Sequence, residues 1–234
     1  MSKSLIIIPT LNEKGNIETL VPQIFKLIPD LSVLVVDDSS SDGTGKRVLE
    51  FHRQFPNCSL LERSSNPGYG QSILDGFRWA LNNSFDKIVT MDADFSHDFN
   101  EIPKMLNKLD FYEIVVGSRY VKGGNVKNWS FSRKLLSRFA NAYVRTILGL
   151  PIHDSTSGFN AYRSSALTSF DFDKIHSEGY AFLVELKYRL LRKGLRFFEH
   201  PIIFYERREG SSKMSAGIIW ESIWLPWRLL FVRK

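Results

Sequence analysis

The chain has 234 residues, 43% hydrophobic and 24% charged, which are ordinary values for a globular protein and enough to bury a core in one large domain or two small ones. A single cysteine, Cys58, excludes an internal disulfide framework and fits a reducing compartment. The net charge of +6 is unevenly spread, with seven Lys/Arg and no Asp or Glu between Ile114 and His153, and eleven Lys/Arg against four Glu from Lys187 to Lys234.

Ser4 to Ile8 is a continuous apolar run with β-branched residues, as expected of a central parallel strand. It is too short for a signal peptide and runs into Pro9, and no stretch reaches the roughly 18 apolar residues of a membrane span. The expectation is a soluble or peripheral protein on the cytoplasmic side. Pro9-Thr10-Leu11-Asn12-Glu13 is a polar turn, followed by a helical pattern of Ile17, Leu20, Val21, Ile24 and Leu27-Ile28 that Pro29-Asp30 stops. Leu31 to Val36 reads as a second buried strand, closed by Asp37-Asp38-Ser39-Ser40-Ser41-Asp42-Gly43-Thr44. A helix from about Gly45 to Phe55 and a short strand near Ser59 to Leu61 follow. Strand, helix, strand, helix, strand is the pattern of a doubly wound α/β sheet, in which ligands sit beyond the carboxyl ends of the strands. No G-x-G-x-x-G follows the first strand, so the dinucleotide fingerprint is absent; Asn66-Pro67-Gly68-Tyr69-Gly70 comes after the third strand and reads as a loop over the site.

Ile88-Val89-Thr90 is a further short strand, and Met91-Asp92-Ala93-Asp94-Phe95-Ser96-His97 leaves its end. Two carboxylates one residue apart on a turning backbone can share a divalent cation, or divide the work between a sugar hydroxyl and a cation. Carboxylate oxygens suit Mg2+ or Mn2+, which take the rest of their shell from water and a phosphate-bearing substrate. The reading is that Asp94 holds the metal and Asp92 contacts a nucleotide. Arg119 follows the apolar strand Ile114-Val115-Val116, at a fourth carboxyl end.

Trp129 to Leu148 reads as a helix with Arg133 and Ser137 four apart on one face and Phe131, Leu135, Phe139, Ala142 and Tyr143 on an apolar side, which either packs on the protein's own core or lies at a bilayer surface. Pro201 to Tyr205 is strand-like and precedes the basic loop Arg207 to Lys213. At the C-terminus Trp220, Ile223, Trp224, Trp227 and Phe231 form one helical stripe, with tryptophan at the density of a water–lipid interface; Glu221, Pro226 and Arg228 argue against a span. Aromatic and aliphatic residues interleave with the basic ones, which favours an anionic membrane surface or phosphate ligands over nucleic acid. The chain therefore divides into a catalytic unit, 1–213, with an amphipathic helix at about 129–148, and an interface segment, 214–234.

Taken together, Pro9 to Glu13, Val36 to Thr44 and Asp92-Ala93-Asp94 resemble the family-2 glycosyltransferases of GT-A fold. Gly117-Ser118-Arg119-Tyr120, Arg133 to Arg138, Asp154-Ser155-Thr156-Ser157-Gly158-Phe159 and Arg207 to Lys213 narrow the resemblance to dolichol- or polyprenol-phosphate mannose synthases, over nearly the whole chain and in order. The resemblance implies a Rossmann-like, mostly parallel sheet flanked by helices, and inverting transfer of mannose from GDP-mannose to a dolichyl or polyprenyl phosphate. It implies that Pro9, Leu11, Glu13, Val36 and Asp38 line the nucleoside, and that Asp92, Ala93 and Asp94 hold ribose, diphosphate and metal. Ser96 stands where some members have Gln, a further metal contact. Arg119, Arg207 and Lys213 would face phosphates, and Arg133 with Ser137 would receive the lipid phosphate, aided by a membrane-anchoring partner in some settings.

Leu11 stands where the family often has Tyr, and Asn160 where Arg is common. A related donor such as a glucosyl nucleotide remains the alternative within the class. Aspartyl phosphohydrolases also carry Asp-x-Asp after a strand, but continue with Gly-Thr where this chain has Phe95-Ser96; a basic nucleic-acid binder is disfavoured by the intact acidic cluster. A phosphate acceptor is already ionised near neutral pH (second pKa roughly 6) and needs no general base. Asp154, Glu178 and His97 would be the candidate bases for an alcohol acceptor.

Overall fold

The computed structural model describes residues 2–65, 67–168, 170–175, 177–206 and 216–231, of which 216–222 are described as backbone only. In chain order the elements are β1 (Ser4–Thr10), α1 (Lys14–Leu27), β2 (Ser32–Asp37), α2 (Thr44–Gln54), β3 (Cys58–Glu62), α3 (Tyr69–Asn82), β4 (Lys87–Thr90) and α4 (Ile102–Lys108). The second half has β5 (Ile114–Ser118), β6 (Asn125–Val126), α5 (Phe131–Leu148), β7 (Asn160–Arg163), α6 (Ser164–Thr168), α7 (Gly179–Arg192), β8 (Phe197–Pro201), β9 (Ile203–Phe204) and α8 (Ala216–Phe231).

Seven strands form one sheet in the order β3-β2-β1-β4-β7-β5-β8, all parallel except β7, while β6 and β9 form a separate parallel pair. The apolar runs explain the centre. Leu5, Ile6, Ile7 and Ile8 of β1 are fully buried, and so are Val33 to Val36 of β2, because helices cover both faces. Alternate residues divide between the two layers: Ile6 and Ile8 pack with α1, α2 and α4, and Leu5 and Ile7 with α3 and α7. Cys58 is buried and free, its thiol pushed up to about 12 by burial.

Sequence-read elements recur with small shifts. The helix foreseen from Gly45 to Phe55 is α2, and the one foreseen from Trp129 is α5, which starts at Phe131 because Ser130 caps it by accepting the Arg133 N–H. The strand-like 201–205 segment is split, since β8 ends at Pro201 and β9 is only Ile203–Phe204. The loop foreseen over 66–70 is cut short: Tyr69 and Gly70 already belong to α3.

Candidate active site

Three polar loops leave neighbouring strands at one edge, since β2, β1 and β4 are adjacent and parallel. Each holds a non-glycine residue in the left-handed region, namely Asn12 (φ 58), Ser39 (φ 57) and Phe95 (φ 61). Asparagine tolerates that region; for phenylalanine it costs energy that the surroundings must override, as is common at functional sites. The first two loops are laced together. The Asn12 N–H donates to Ser40 Oγ (2.7 Å), the Ser41 N–H donates to Asn12 Oδ1 (2.9 Å), and Thr10 Oγ1 donates to Asp37 Oδ1 (2.8 Å). A cavity of about 610 Å3 opens beside them, lined in part by Ser39, Ser40, Lys46 and Arg63.

β7 runs against its neighbours, so the segment feeding it, 154–159, arrives at this same edge. Thr90 Oγ1 donates to the Gly158 carbonyl (2.8 Å), bringing Gly158 beside the Asp92 loop. A methyl group at Gly158 would lie 2.7 Å from the Tyr69 hydroxyl and 3.6 Å from Asp92 Oδ1. Tyr69 hydrogen-bonds the Asp92 carboxylate, and burial first, then the Asp92 charge, raises its phenol well above its ordinary value. From the other side the Asp92 N–H donates to His97 Nδ1 (3.2 Å). Burial above all pulls His97 down to about 4, so its imidazole is neutral and can accept that bond. His97 stacks on Phe159 (5.1 Å) and meets Phe204 edge-on (5.4 Å). It is thus a brace for the Asp-x-Asp backbone, and a buried one.

The expected residues fall into three groups. At the cleft, Asp92 and Asp94 are half-buried, Asp94 Oδ1 accepting the Ser96 N–H (3.0 Å); Pro9 and Glu13 are half-buried and Leu11 is exposed. Others are spent on structure. Val36 and Ala93 are buried in the core. Asp38 accepts from Arg63 Nη1 (2.6 Å) and from the Gly68 N–H (2.6 Å), tying the second loop to α3. Arg119, expected to face a phosphate, is 6% exposed and clamped by Asp154 through Nε–Oδ2 (2.7 Å) and Nη2–Oδ1 (2.6 Å), with Nη2 also reaching Thr156. Burial alone would favour its neutral form; Asp154 more than reverses this and keeps the charge. Of the residues considered as bases for an alcohol acceptor, Asp154 is fully buried in that pair and Glu178 is exposed just before α7. Arg207 and Lys213 lie outside the described residues.

The acceptor-side residues stand on α5. Arg133 lies over the Trp129 ring (4.1 Å) and pairs with Glu206 (2.9 Å); Ser137 Oγ accepts from the Tyr120 hydroxyl (2.6 Å). Trp129 touches Phe204 (5.4 Å), which touches His97, so contacting rings link Arg133 to the Asp92 loop. The apolar residues in the first half of α5 face outward, Phe131 being 81% exposed and Phe139 66%, while Asn141, Val144 and Leu148 in its second half face the core. α8 does the same, burying Leu225 and Leu229 against Val144 and Val184 and exposing Ile223, Trp224, Trp227 and Phe231. Tyr143 joins the two helices, donating to the Ile223 carbonyl (2.8 Å) and accepting from Trp227 Nε1 (2.9 Å). Trp220 is among the residues whose side chains are not described. No helix among the described residues is long and apolar enough to cross a membrane.

Residues 5–170 match the model of glycosyl transferase family 2. The chain belongs to that family. It is 41% identical over 219 residues to the undecaprenyl-phosphate mannosyltransferase of Micrococcus luteus, covering 94% of this chain and 90% of that one. It is 40% identical over 223 residues to the polyprenol monophosphomannose synthase of Mycolicibacterium smegmatis, covering 94% and 84%. Among solved structures it is similar to glucosyl-3-phosphoglycerate synthase of Mycobacterium tuberculosis in complex with Mn2+, UDP and phosphoglyceric acid. That similarity has a TM-score of 0.71 and 19% identity over 100% of this chain and 80% of that one. The fold is GT-A.

Within this family-2 chain, sequence reasoning gave Tyr69 no role of its own, although it lies within the Gly-rich stretch read as a loop over the site; its aromatic ring between two glycines was the available signal. Gly158→Ala is expected to displace the Tyr69 hydroxyl and cut glycosyl transfer about a hundredfold, the scale of a misplaced reacting group. Melting temperature should move by only a few degrees, and steady-state kinetics beside a thermal melt would check both.

Proposed function

We propose that the chain transfers mannose from GDP-mannose to a dolichyl or polyprenyl phosphate at a membrane surface, releasing GDP with inversion at the anomeric carbon. The relatives named as polyprenyl-phosphate mannosyltransferases support the substrates. The observation that carries the reading for this fold is the outward-turned apolar face of α5 beside Arg133, linked through edge-on ring contacts to the Asp92–Asp94 loop. A soluble acceptor would need no such face; an isoprenoid chain in a bilayer would, with its phosphate at the helix that bears the cation.

An acceptor phosphate oxygen forms the new bond to the anomeric carbon while the bond from that carbon to the diphosphate breaks, its electron pair leaving with GDP. Arg133 binds and orients the acceptor phosphate, exchanging Glu206 for it. Asp92, held by Tyr69 and His97, fixes the nucleotide. Arg207 and Lys213 take the role the family resemblance implies, as cations for the diphosphate, and Arg119 adds fixed positive charge at the end of β5. Pro9, Leu11 and Glu13 flank the nucleoside, with Asp38 fixing the second loop through Arg63 and Gly68.

The donor set fits a divalent cation. Asp94 is half-exposed, and the buried Ser96 Oγ has no hydrogen-bond partner among the described residues. No group of three His, Cys, Asp or Glu that could hold a metal occurs among them either, so most of the shell falls to water and diphosphate oxygens. Held by Asp94, Mg2+ or Mn2+ supplies neutralisation of the charge on the leaving diphosphate. The protein sits on the cytoplasmic face, with α5 and α8 in the interface and Arg138 and Arg145 exposed beside the apolar residues to meet anionic headgroups.

The test is incubation with labelled GDP-mannose, Mn2+ and vesicles containing polyprenyl phosphate, followed by extraction of the lipid. A mannose-labelled lipid is the expected product; labelled lipid from UDP-glucose alone would assign the glucosyl donor. Arg133→Ala should raise the KM for the lipid phosphate about tenfold or more, the worth of a charge-assisted hydrogen bond. The KM for the nucleotide sugar should stay within about twofold.

A further inference from the structure

Lys187 sits in the middle of α7 with no exposed surface. Its Nζ donates to the carbonyls of Ser155 (3.1 Å) and Ser157 (2.7 Å). These carbonyls belong to the segment that enters β7, whose two ends reach the site. At one end Asp154 clamps Arg119, and at the other Gly158 packs against Asp92 and Tyr69. On the far side Asn141 of α5 holds the same segment, accepting from Ser155 Oγ (3.0 Å) and donating from Nδ2 to Thr156 Oγ1 (3.0 Å). The segment is gripped from two helices, by an amide on one and an ammonium on the other.

Burying an ammonium is costly, and burial pulls Lys187 down to about 7. Asp154 and Glu199 face it with negative charge and Arg119 with positive charge. Methionine would fill the same space without that cost, so packing alone gives no reason for a lysine here. What methionine cannot do is hold the Ser155 and Ser157 carbonyls at a fixed distance from α7.

We propose that Lys187 is a positioning residue for sugar transfer, fixing the Asp154–Gly158 segment so that Arg119 and Asp92 keep their places around the diphosphate. The inference rests on the proposed transferase reading for its rate effect, but its binding effect can be read without any acceptor.

The experiment compares wild type, Lys187→Met and Lys187→Arg by thermal melting, by calorimetric titration with GDP in Mn2+, and by kinetics on polyprenyl-phosphate vesicles. Lys187→Met should fold with a melting temperature lowered by only several degrees, the cost of carbonyls that lose the ammonium donor, and bind GDP about tenfold more weakly. Its kcat should fall about a hundredfold with the lipid KM within about twofold of wild type. Lys187→Arg, which restores two donors and the charge, should recover at least a tenth of the lost rate. Wild-type GDP affinity and kcat in Lys187→Met would overturn the proposal. So would failure of that variant to fold, because a stabilising role would then suffice. If wild type binds GDP but makes no mannosyl lipid, the transferase reading fails alone, and the GDP affinities still decide the role of Lys187.

Discussion

Asp94→Ala is expected to lower mannosyl transfer roughly a thousandfold, the scale at which removing a group that stabilises developing charge is felt. The same change should abolish the metal-dependent part of GDP binding in calorimetry while moving the melting temperature little. Asp94 is half-exposed, and it accepts a local hydrogen bond from the Ser96 N–H two residues on. The loop has other anchors: the Met91 N–H donates to the Ile7 carbonyl (3.1 Å), Ala93 is buried, and the Tyr205 N–H donates to the Ser96 carbonyl (3.1 Å). Stability therefore rests on Met91, Ala93 and Ser96, and chemistry on Asp94. Asp94→Asn is the sharper control, since it keeps the turn but weakens the grip on a hard cation, which prefers charged oxygen. Full activity in either variant would remove Asp94 as the metal's holder and move attention to Asp92.

The edge at which these residues gather was legible in the sequence because β1, β2 and β4 are continuous apolar runs, each ending in a polar cluster. What the runs could not show was how the rest of the sheet reaches that edge. β7 is four residues long and opens with a buried asparagine, so it carries no strand signal, yet its reversed direction is what delivers Gly158 to Asp92. α3 was hidden by its glycines, which weaken a helix in isolation. A methyl group at Gly76 would come within 2.7 Å of Ile7, and one at Gly70 within 2.9 Å of Phe182, so close packing on the sheet and on α7 requires both. The direction of α5 was read only as two alternatives, core or bilayer. The outward aromatic side follows from a feature outside periodicity: Asn141 is buried because the Ser155–Thr156 backbone and hydroxyls need its amide. Arg119 was placed at this edge, but its burial was not legible, since its carboxylate partner is 35 residues away in sequence.

That pair carries the largest expected effect on stability. Asp154→Asn leaves a guanidinium with 6% exposure facing a neutral amide, and breaking a buried pair from one side costs about 3–5 kcal/mol. Against a total stability of about 5–15 kcal/mol, this should lower the melting temperature by roughly 10 °C or more. The rings of Tyr120, Trp129 and Phe204 around Arg119, at 5.3, 5.7 and 5.4 Å, offer partial compensation through their π faces but no acceptor oxygen. The double variant Arg119→Met with Asp154→Leu removes both charges and should regain much of the lost stability. Its remaining deficit is the Arg119 backbone N–H, which also donates to Asp154 Oδ2 (2.9 Å), worth about 1–3 kcal/mol when left buried and unpaired. If the pair serves the fold alone, transfer should return with stability in the double variant. If Arg119 also supplies charge to the diphosphate, the melting temperature should recover while kcat stays at least tenfold down, and it is this separation of melting temperature from kcat that the proposed function requires.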